Sequence, residues 1–129
     1  MAFEKVLCQI IEEDVTCSGI FSVGGDFNFT PLTINNATLP YACYTIWDDQ
    51  INFTYDGMDG TSNVKCQISV YAETYAQSKE TLDHIISAVD NYIRASGDLS
   101  ISDCRTHETF DSTLKLYQSI ADLYLMYFE

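Results

Sequence analysis

The 129-residue chain has little glycine and proline, few basic residues and no long apolar run. Six Gly and two Pro are too few for a disordered or fibrous chain, and 47% apolar residues with 13% aromatics are typical of a globular domain. Folding at this length buries roughly two-thirds of the surface of the unfolded chain, which suffices for one two-layer core. We therefore expect a single domain over residues 1–129.

Basic residues are scarce, because six Lys and Arg stand against 19 Asp and Glu, a net charge of −13. Such a field repels phosphate and excludes nucleic acid or an anionic membrane as the main binding partner. No stretch approaches the ~20 apolar residues of a membrane helix, and residues 1–11 carry Glu4 and Lys5, unlike a secretion signal. We expect a soluble, unexported protein whose partners are basic patches, protein surfaces or copies of itself.

The cysteines are five in number and have no C-x-x-C spacing, so at least one thiol stays unpaired. This pattern favours folding in a reducing, intracellular environment. The Asn-x-Thr triplets would accept glycans only in a secreted protein. The cysteines are Cys8, Cys17, Cys43, Cys66 and Cys104, and the triplets begin at Asn28, Asn36 and Asn52.

The N-terminal third predicts one short helix followed by a loop. Apolar residues recur at helical spacing from Phe3 to Ile11, Glu12 to Asp14 close the helix, and a turn is expected at Ser18-Gly19. Carboxylates at this end oppose the helix macrodipole, so fraying is expected unless a cation or another subunit approaches. Residues 20–39 predict a loop with one short strand.

Residues 41–72 predict a β-hairpin. Odd positions from Tyr41 to Tyr55 are nearly all apolar, residues 56–60 are rich in turn formers, and even positions from Val64 to Ala72 are apolar. Opposed residues share a face, so paired numbers are predicted to sum to about 117. Cys66 would then oppose Ile51, Cys43 would lie near Thr74, and no Cys43–Cys66 disulfide is expected.

The C-terminal half predicts one helix and two strands. Thr74 and Gln77 form a capping-box signature before an apolar stripe that ends at Ser96-Gly97. Leu99 to Phe110 alternates poorly and predicts an edge strand or a bulge. Residues 113–128 fit both a strand and a helix, and the Tyr and Phe content favours a strand that is either central or covered by another subunit.

These elements predict an α+β fold with an antiparallel sheet of about four strands and two helices packed on it, in the order α-β-β-α-β-β.

Motifs for catalysis, metals or cofactors are weak. Cys104 and His107 lie three apart on a strand and face opposite ways, and His84 borders a helical apolar stripe. Asp56 to Gly60 lacks the ligand spacing of a calcium loop, and Gly24-Gly25 lacks the flanking strand and helix of a phosphate site. We expect no enzyme activity, no metal and no cofactor, which favours assembly or binding.

Four segments carry a resemblance to a known family. Leu39-Pro40-Tyr41 opens the first long strand, Gln67 to Ala72 (QISVYA) forms the second, Tyr75 to Ser78 (YAQS) starts the helix, and Leu116 to Ser119 leads into the last strand. In this arrangement the chain resembles the tail-completion, or tail-terminator, proteins of long-tailed bacteriophages. The match spans about residues 39–93 and the C-terminal strand, and residues 20–38 depart from it.

The resemblance implies a structural virion protein, assembled in the host cytoplasm and located at the tail neck. Six copies would form a ring that stops polymerisation of the tail tube and joins it to the head connector, while DNA passes through the lumen without specific binding. A lumen lined by Asp and Glu would repel DNA. The polar hairpin tip would reach a neighbour or the tube, and the expected subunit or tube interface residues are Asp48, Asp49, Asp56, Met58 and Asp59.

Two alternatives use the same residues differently. An acidic binding module, such as a DNA mimic or inhibitor, requires carboxylates along one continuous face. A small hydrolase or transferase requires a pocket that gathers His84 or His107 with a cysteine or a carboxylate.

Overall fold

A computed structural model describes residues 2–23, 26–27, 29–31, 41–54, 57–113 and 115–128 of the chain. These residues form three helices and seven strands. They are α1 (Ala2–Glu13), α2 (Val15–Phe21), β1 (Ser22–Val23), β2 (Asp26–Phe27), β3 (Phe29–Pro31), β4 (Tyr41–Thr54), β5 (Gly57–Ala72), α3 (Tyr75–Ala95), β6 (Leu99–Asp111) and β7 (Leu116–Phe128).

A five-stranded sheet has the strand order β3-β4-β5-β7-β6. The four long strands pair antiparallel, and the short β3 runs parallel to β4 from Phe29 to Pro31. This confirms the predicted α+β fold with a four-stranded antiparallel sheet, to which β3 adds a short fifth strand. β1 and β2 form a separate small hairpin in the segment predicted as a loop with one strand.

The N-terminal helical region is longer than predicted. α1 ends at Glu13 as expected, but Ser18 and Gly19 lie within α2, so the prediction of a turn there is wrong. Asp14 lies between the two helices, and its Oδ1 accepts a hydrogen bond from the backbone N–H of Cys17 at 3.0 Å. The Asp14 carboxylate thus caps the start of α2, where the helix dipole favours negative charge.

The register of the β4–β5 hairpin differs from the predicted one. Cys66 pairs with Ile46 rather than Ile51, and Cys43 pairs with Ser69. At the end of the hairpin away from its turn, the numbers of paired residues therefore sum to 112 rather than 117. In this register the even β4 residues Ala42 and Tyr44 are buried toward the helices. All five cysteines are free thiols.

The prediction of a turn over residues 56–60 is wrong, because residues 57–60 belong to β5 and Gly57 pairs with Thr54, which accounts for most of the register difference. A bulge in β4 adds a further shift of one residue. The pairing shifts between Ile46 and Asp48, so that both Trp47 and Asp48 lie opposite Lys65. Before the bulge the even residues of β4 face the helices, and after it the odd residues do. The apolar alternation of residues 41–55 therefore combines residues from both faces of the strand. Trp47, predicted to face the core with the odd residues, is 51% exposed.

Helix α3 covers the sheet as predicted. The Thr74 hydroxyl accepts a hydrogen bond from the Gln77 N–H at 3.1 Å, and Ser96 follows the last turn. Leu82, Ile85 and Val89 of the apolar stripe are buried. At the contact with β7 two small residues meet, where Ser119 Oγ donates to Ser78 Oγ at 3.0 Å and Ser78 Oγ donates to the Tyr75 carbonyl at 2.9 Å.

The last two strands confirm the sequence interpretation. Leu116–Phe128 is a strand rather than a helix, and it lies between β5 and β6. β6 lies at the edge of the described sheet and carries a register shift between Ile101 and Asp103. The order of the strands therefore places the C-terminal strand inside the sheet and β6 outside it.

The core lies between one face of this sheet and the helices. Helix α1 contributes four buried residues, β5 contributes its even residues and β7 its odd ones. The largest fully buried side chains include Phe3, Leu7, Ile11, Phe21, Ile68, Leu82, Ile85 and Leu123. Residues that pair across neighbouring strands lie on the same face of the sheet. The described helices pack on one face, and no described helix packs on the opposite face.

Candidate assembly surfaces

The predicted interface residues fall into two places. Asp48 lies within the sheet, where its Oδ2 is 3.5 Å from Lys65 Nζ, and Asp49 pairs in register with Val64. Met58 lies opposite Phe53 near the end of the hairpin, next to Asp59. Asp56 lies outside the described residues. The structure therefore separates Asp48 and Asp49 from Met58 and Asp59 rather than gathering them into one site.

The outer part of the hairpin projects beyond the sheet. β5 pairs with β7 only from Thr61 onward, whereas β4 and β5 stay paired as far as Thr54 and Gly57. Side-chain amides brace the base of this two-stranded ribbon. Asn52 Nδ2 donates to Thr61 Oγ1 at 2.9 Å, and Asn63 Nδ2 donates to Asn52 Oδ1 at 3.4 Å. The ribbon is therefore paired with no described strand outside the hairpin.

Two strand edges are uncovered in the described part of the chain. β6 pairs with β7 along Leu99 to Asp111, and no described strand pairs with its other side. β3 covers only Ala42 to Tyr44 of the outer side of β4. Unpaired strand edges present rows of backbone N–H and C=O groups that accept another strand.

The face of the sheet that the helices leave open, here called the open face, carries large aromatic and apolar side chains. Trp47 of β4 lies on this face, with the Nζ of Lys65 5.1 Å from the Trp47 ring centroid and the Tyr124 ring edge-on at 6.2 Å. Met126 and Phe128, 36% and 40% exposed, follow along β7. Trp47, Tyr124, Met126, Phe128, Asp48 and Lys65 are called the Trp47 patch below.

Polar side chains on the open face are paired with one another. Gln67 Nε2 donates to Asp122 Oδ1 at 3.0 Å, and Arg105 Nε lies 2.9 Å from Asp103 Oδ2. With the ion pair of Asp48 and Lys65, both cations of this face have a carboxylate partner. The open face combines exposed aromatic surface with little unbalanced charge.

The helix side of the sheet holds buried polar groups of a different kind. The Tyr44 hydroxyl donates to Glu4 Oε1 at 3.0 Å and lies 3.2 Å from Cys8 Sγ. Burial raises the pKa of Tyr44 far above its usual range, and the neighbouring Cys8 and Glu4 raise it further. The Tyr44 phenol therefore stays neutral and acts as a hydrogen-bond donor that fixes α1 on β4.

The residues considered for catalysis do not form a nucleophile–base pair among the described side chains. Cys17 donates its thiol to the backbone carbonyl of His84 at 3.5 Å rather than to the imidazole, and burial raises the pKa of Cys17 to about 12. The His84 imidazole instead lies 3.7 Å from Glu80 Oε1. Both line a shallow cleft of about 350 Å³ between α2 and α3, together with Thr16, Ile20, Gln77 and Thr81.

Cys104 and His107 lie on opposite faces of β6, as their spacing predicts. Cys104 pairs with Leu123 and packs against the core, whereas His107 pairs with Ile120 on the open face. Within the described residues no three His, Cys, Asp or Glu side chains are placed to hold a metal ion. None of the described helices is long and apolar enough to cross a membrane.

Sequence reasoning missed the Trp47 patch because it assigned Trp47 to the core side. The signal was present in β4, where Ala42, Tyr44 and Ile46 form an even apolar series that ends at the adjacent Trp47. Ile46 and Trp47 are two successive apolar residues followed by Asp48, so the alternation of apolar and polar residues is interrupted here. A β-bulge produces this pattern. No protein-family model matches this chain, and no curated protein matches its sequence.

Proposed function

We propose that this chain is a structural virion protein of the tail-terminator type. Six copies form a ring that ends the tail tube of a long-tailed bacteriophage and joins it to the head connector, and the protein acts by assembly rather than catalysis. The observation that best supports this proposal is the pair of uncovered strand edges, on β6 and on β4 beyond Tyr44, at opposite ends of the described sheet.

Two different edges on one subunit favour a closed ring. When β6 of one copy pairs with β4 of the next, every subunit uses one edge for each neighbour, which is a heterologous contact. Each added copy is rotated relative to the last, because sheets twist with a fixed hand. Such an array closes when the rotation per copy divides evenly into a circle, and a ring of six is the size that the family resemblance implies.

The projecting hairpin ribbon suits contact with the tube or with a neighbour. Met58 and Asp59 lie on this ribbon and are proposed to make that contact together with Asp56, which lies outside the described residues. Asp48 and Asp49 lie nearer the sheet and are proposed to contribute to the subunit boundary, since they belong to the part of β4 that β3 leaves uncovered.

The charge distribution is compatible with passage of DNA. The helices and their flanking residues carry nine carboxylates and three cations, a net charge of −6. The described open face carries four carboxylates and two cations, a net charge of −2. Either surface would repel the phosphate backbone if it lined the channel, so DNA would pass without being held.

The ring proposal is tested at the outer edge of β6. The Phe128 N–H donates to the Asp98 carbonyl at 2.7 Å, which fixes the phase of this strand pair. Along an antiparallel strand, successive residues direct their backbone N–H and C=O groups to opposite sides. In this register Arg105 and His107 direct these groups toward β7, and Thr106 directs them away from β7, toward the uncovered edge. Proline at position 106 removes one outward N–H, and edge strands tolerate proline.

Thr106→Pro is compared with Thr106→Val, which keeps the N–H. Negative-stain electron microscopy and native mass spectrometry at high protein concentration are expected to show six-membered rings for the natural chain and for Thr106→Val, and their loss for Thr106→Pro. Circular dichroism checks that the proline variant is folded. A natural chain that stays monomeric at high concentration, or rings that persist in a folded Thr106→Pro protein, would contradict assembly through this edge.

A further inference from the structure

We propose that the open face is a second interface, at which two copies of the chain pack their sheets face to face around Trp47. This contact uses no strand edge, so it goes beyond the ring described above and does not depend on it. The argument rests on the Trp47 patch, on the charge of the open face relative to the rest of the chain, and on the size of the face.

The Trp47 patch has the make-up of an anchoring site in a protein interface. Trp47 is 51% exposed, yet its ring is held between the Lys65 ammonium at 5.1 Å and the Tyr124 ring at 6.2 Å. Trp and Tyr dominate the binding energy of interfaces because they bury a large area at a small cost in side-chain entropy. A tryptophan already fixed by its neighbours loses still less freedom when a partner covers it.

Charge indicates which partner fits. The described charged groups around Trp47 are Asp48, Lys65, Asp103, Arg105 and Asp122, with a net charge of −1 in a chain of net charge −13. A basic partner is attracted more strongly to the helix layer, and nucleic acid is repelled throughout. The open face of a second copy is a surface of matching low charge, so association of two copies meets the least repulsion here.

Size and shape agree with a two-copy contact. β5 and β7 are paired over twelve residues, and four strands of this length span about 40 Å by 19 Å, or about 750 Å², of which the end at Tyr41 and Ser69 is already buried within one copy. A stable interface buries about 800 Å² from each partner. Two sheets pack face to face about 10 Å apart with their side chains interdigitated, which gives a two-fold symmetric contact of identical surfaces.

Trp47 is the only tryptophan in the chain, so its fluorescence reports directly on this face. Emission maximum and acrylamide quenching are measured from about 1 μM to about 500 μM protein, a range that covers micromolar to submillimolar dissociation constants. A shift of emission to shorter wavelength and a fall in quenching are expected as the concentration rises. Sedimentation equilibrium of Thr106→Pro, in which ring formation is expected to be lost, gives the dissociation constant of the pair.

A matched pair of variants separates the two faces. Met126→Glu places a carboxylate in the Trp47 patch, and Val15→Glu makes an equal charge change on α2, where Val15 is 88% exposed. Met126→Glu is expected to raise the dissociation constant at least about 30-fold, because a charge buried in an interface without a partner is costly. Val15→Glu is expected to change neither fluorescence nor dissociation constant. Phe128→Glu repeats the test if Met126→Glu fails to fold.

The Thr106→Pro variant distinguishes this contact from assembly through the strand edges. Burial of Trp47 is expected to persist in Thr106→Pro even if rings are lost. The proposal is overturned if Trp47 stays fully quenchable up to about 500 μM, as it would if another protein occupied this face. It is also overturned if the fluorescence change survives in Met126→Glu or disappears in Thr106→Pro, since Trp47 would then be covered by an edge-paired neighbour.

Discussion

The two faces of the sheet are built from the same strands but are covered differently. On β7 the helix side carries Ser119, Ala121 and Leu123, all nearly inaccessible, whereas the open face carries the larger Tyr124 and Met126, which keep contact with solvent. The helix side of β7 carries no charged residue, whereas the open face also carries Asp122. Small residues such as Ser119 and Ala121 let α3 approach the sheet closely on the uncharged side.

The largest expected effect comes from comparing the two faces of β7 directly. Leu123→Ala, on the helix side, is expected to lower the free energy of unfolding by about 2–5 kcal/mol because it leaves a cavity. Met126→Ala, on the open face, is expected to cost less than about 1 kcal/mol, since the site is partly in solvent already. Urea denaturation at low protein concentration measures both values, and equal costs would contradict the difference in packing.

The buried hydroxyl pair between α3 and β7 gives the next effect. Ser78→Ala removes the acceptor for the Ser119 hydroxyl, leaving a buried donor without this partner, and is expected to cost about 1–3 kcal/mol. Ser119→Ala is expected to cost less, because Ser78 still donates to the Tyr75 carbonyl. The double variant, measured by the same denaturation, should cost less than the two single changes combined. Strict additivity would show that the two hydroxyls are not coupled.

Alkaline pH is expected to weaken the helix side through its buried thiols. Burial, with smaller contributions from Asp122 and Glu4, raises the pKa of Cys66 from 9.0 to about 12. Between these values the unfolded chain releases a proton that the folded chain retains, so stability is fully present below pH 9 and falls as pH rises. Denaturation at several pH values above 9 should show a slope for Cys66→Val that is shallower by up to about 1.4 kcal/mol per pH unit. An unchanged slope would place the proton loss elsewhere.

The smallest effect is expected on the open face itself. Asp48 and Lys65 form an ion pair at 3.5 Å with both side chains well exposed. Such pairs contribute little, so Asp48→Asn is expected to change the free energy of unfolding by less than about 0.5 kcal/mol. A large loss of stability would mean that the pair holds the Trp47 bulge in place. A loss of ring formation without a loss of stability would support Asp48 as an interface residue.

The positions of α1, α3 and the long strands could be predicted from the sequence because each rests on a local signal. The Thr74 cap and the stripe through Leu82 and Val89 define α3, and turn residues define the hairpin. The segments that carry the family resemblance are short local signals of the same kind.

The register of β4 could not be predicted, because the turn formers of residues 57–60 lie within β5 and one extra residue at Trp47 reverses which side chains point inward. The extension of the helical region through Ser18 and Gly19 was missed for a similar reason. The Asp14 cap was read as the end of α1, although the same carboxylate also begins α2. The same bulge explains why the sequence did not predict the Trp47 patch, since Trp47 and Asp48 lie at the bulge itself.

The position of β7 has a consequence for synthesis of the protein. A nascent chain that has emerged only as far as Asp111 holds β5 and β6 without the strand that lies between them. Both would present unpaired backbone and apolar side chains until Leu116–Phe128 has been synthesised, and such long-range pairing is slow to form. Until Leu116–Phe128 leaves the exit tunnel the sheet cannot close, so premature assembly or capture by a chaperone competes with folding during this interval.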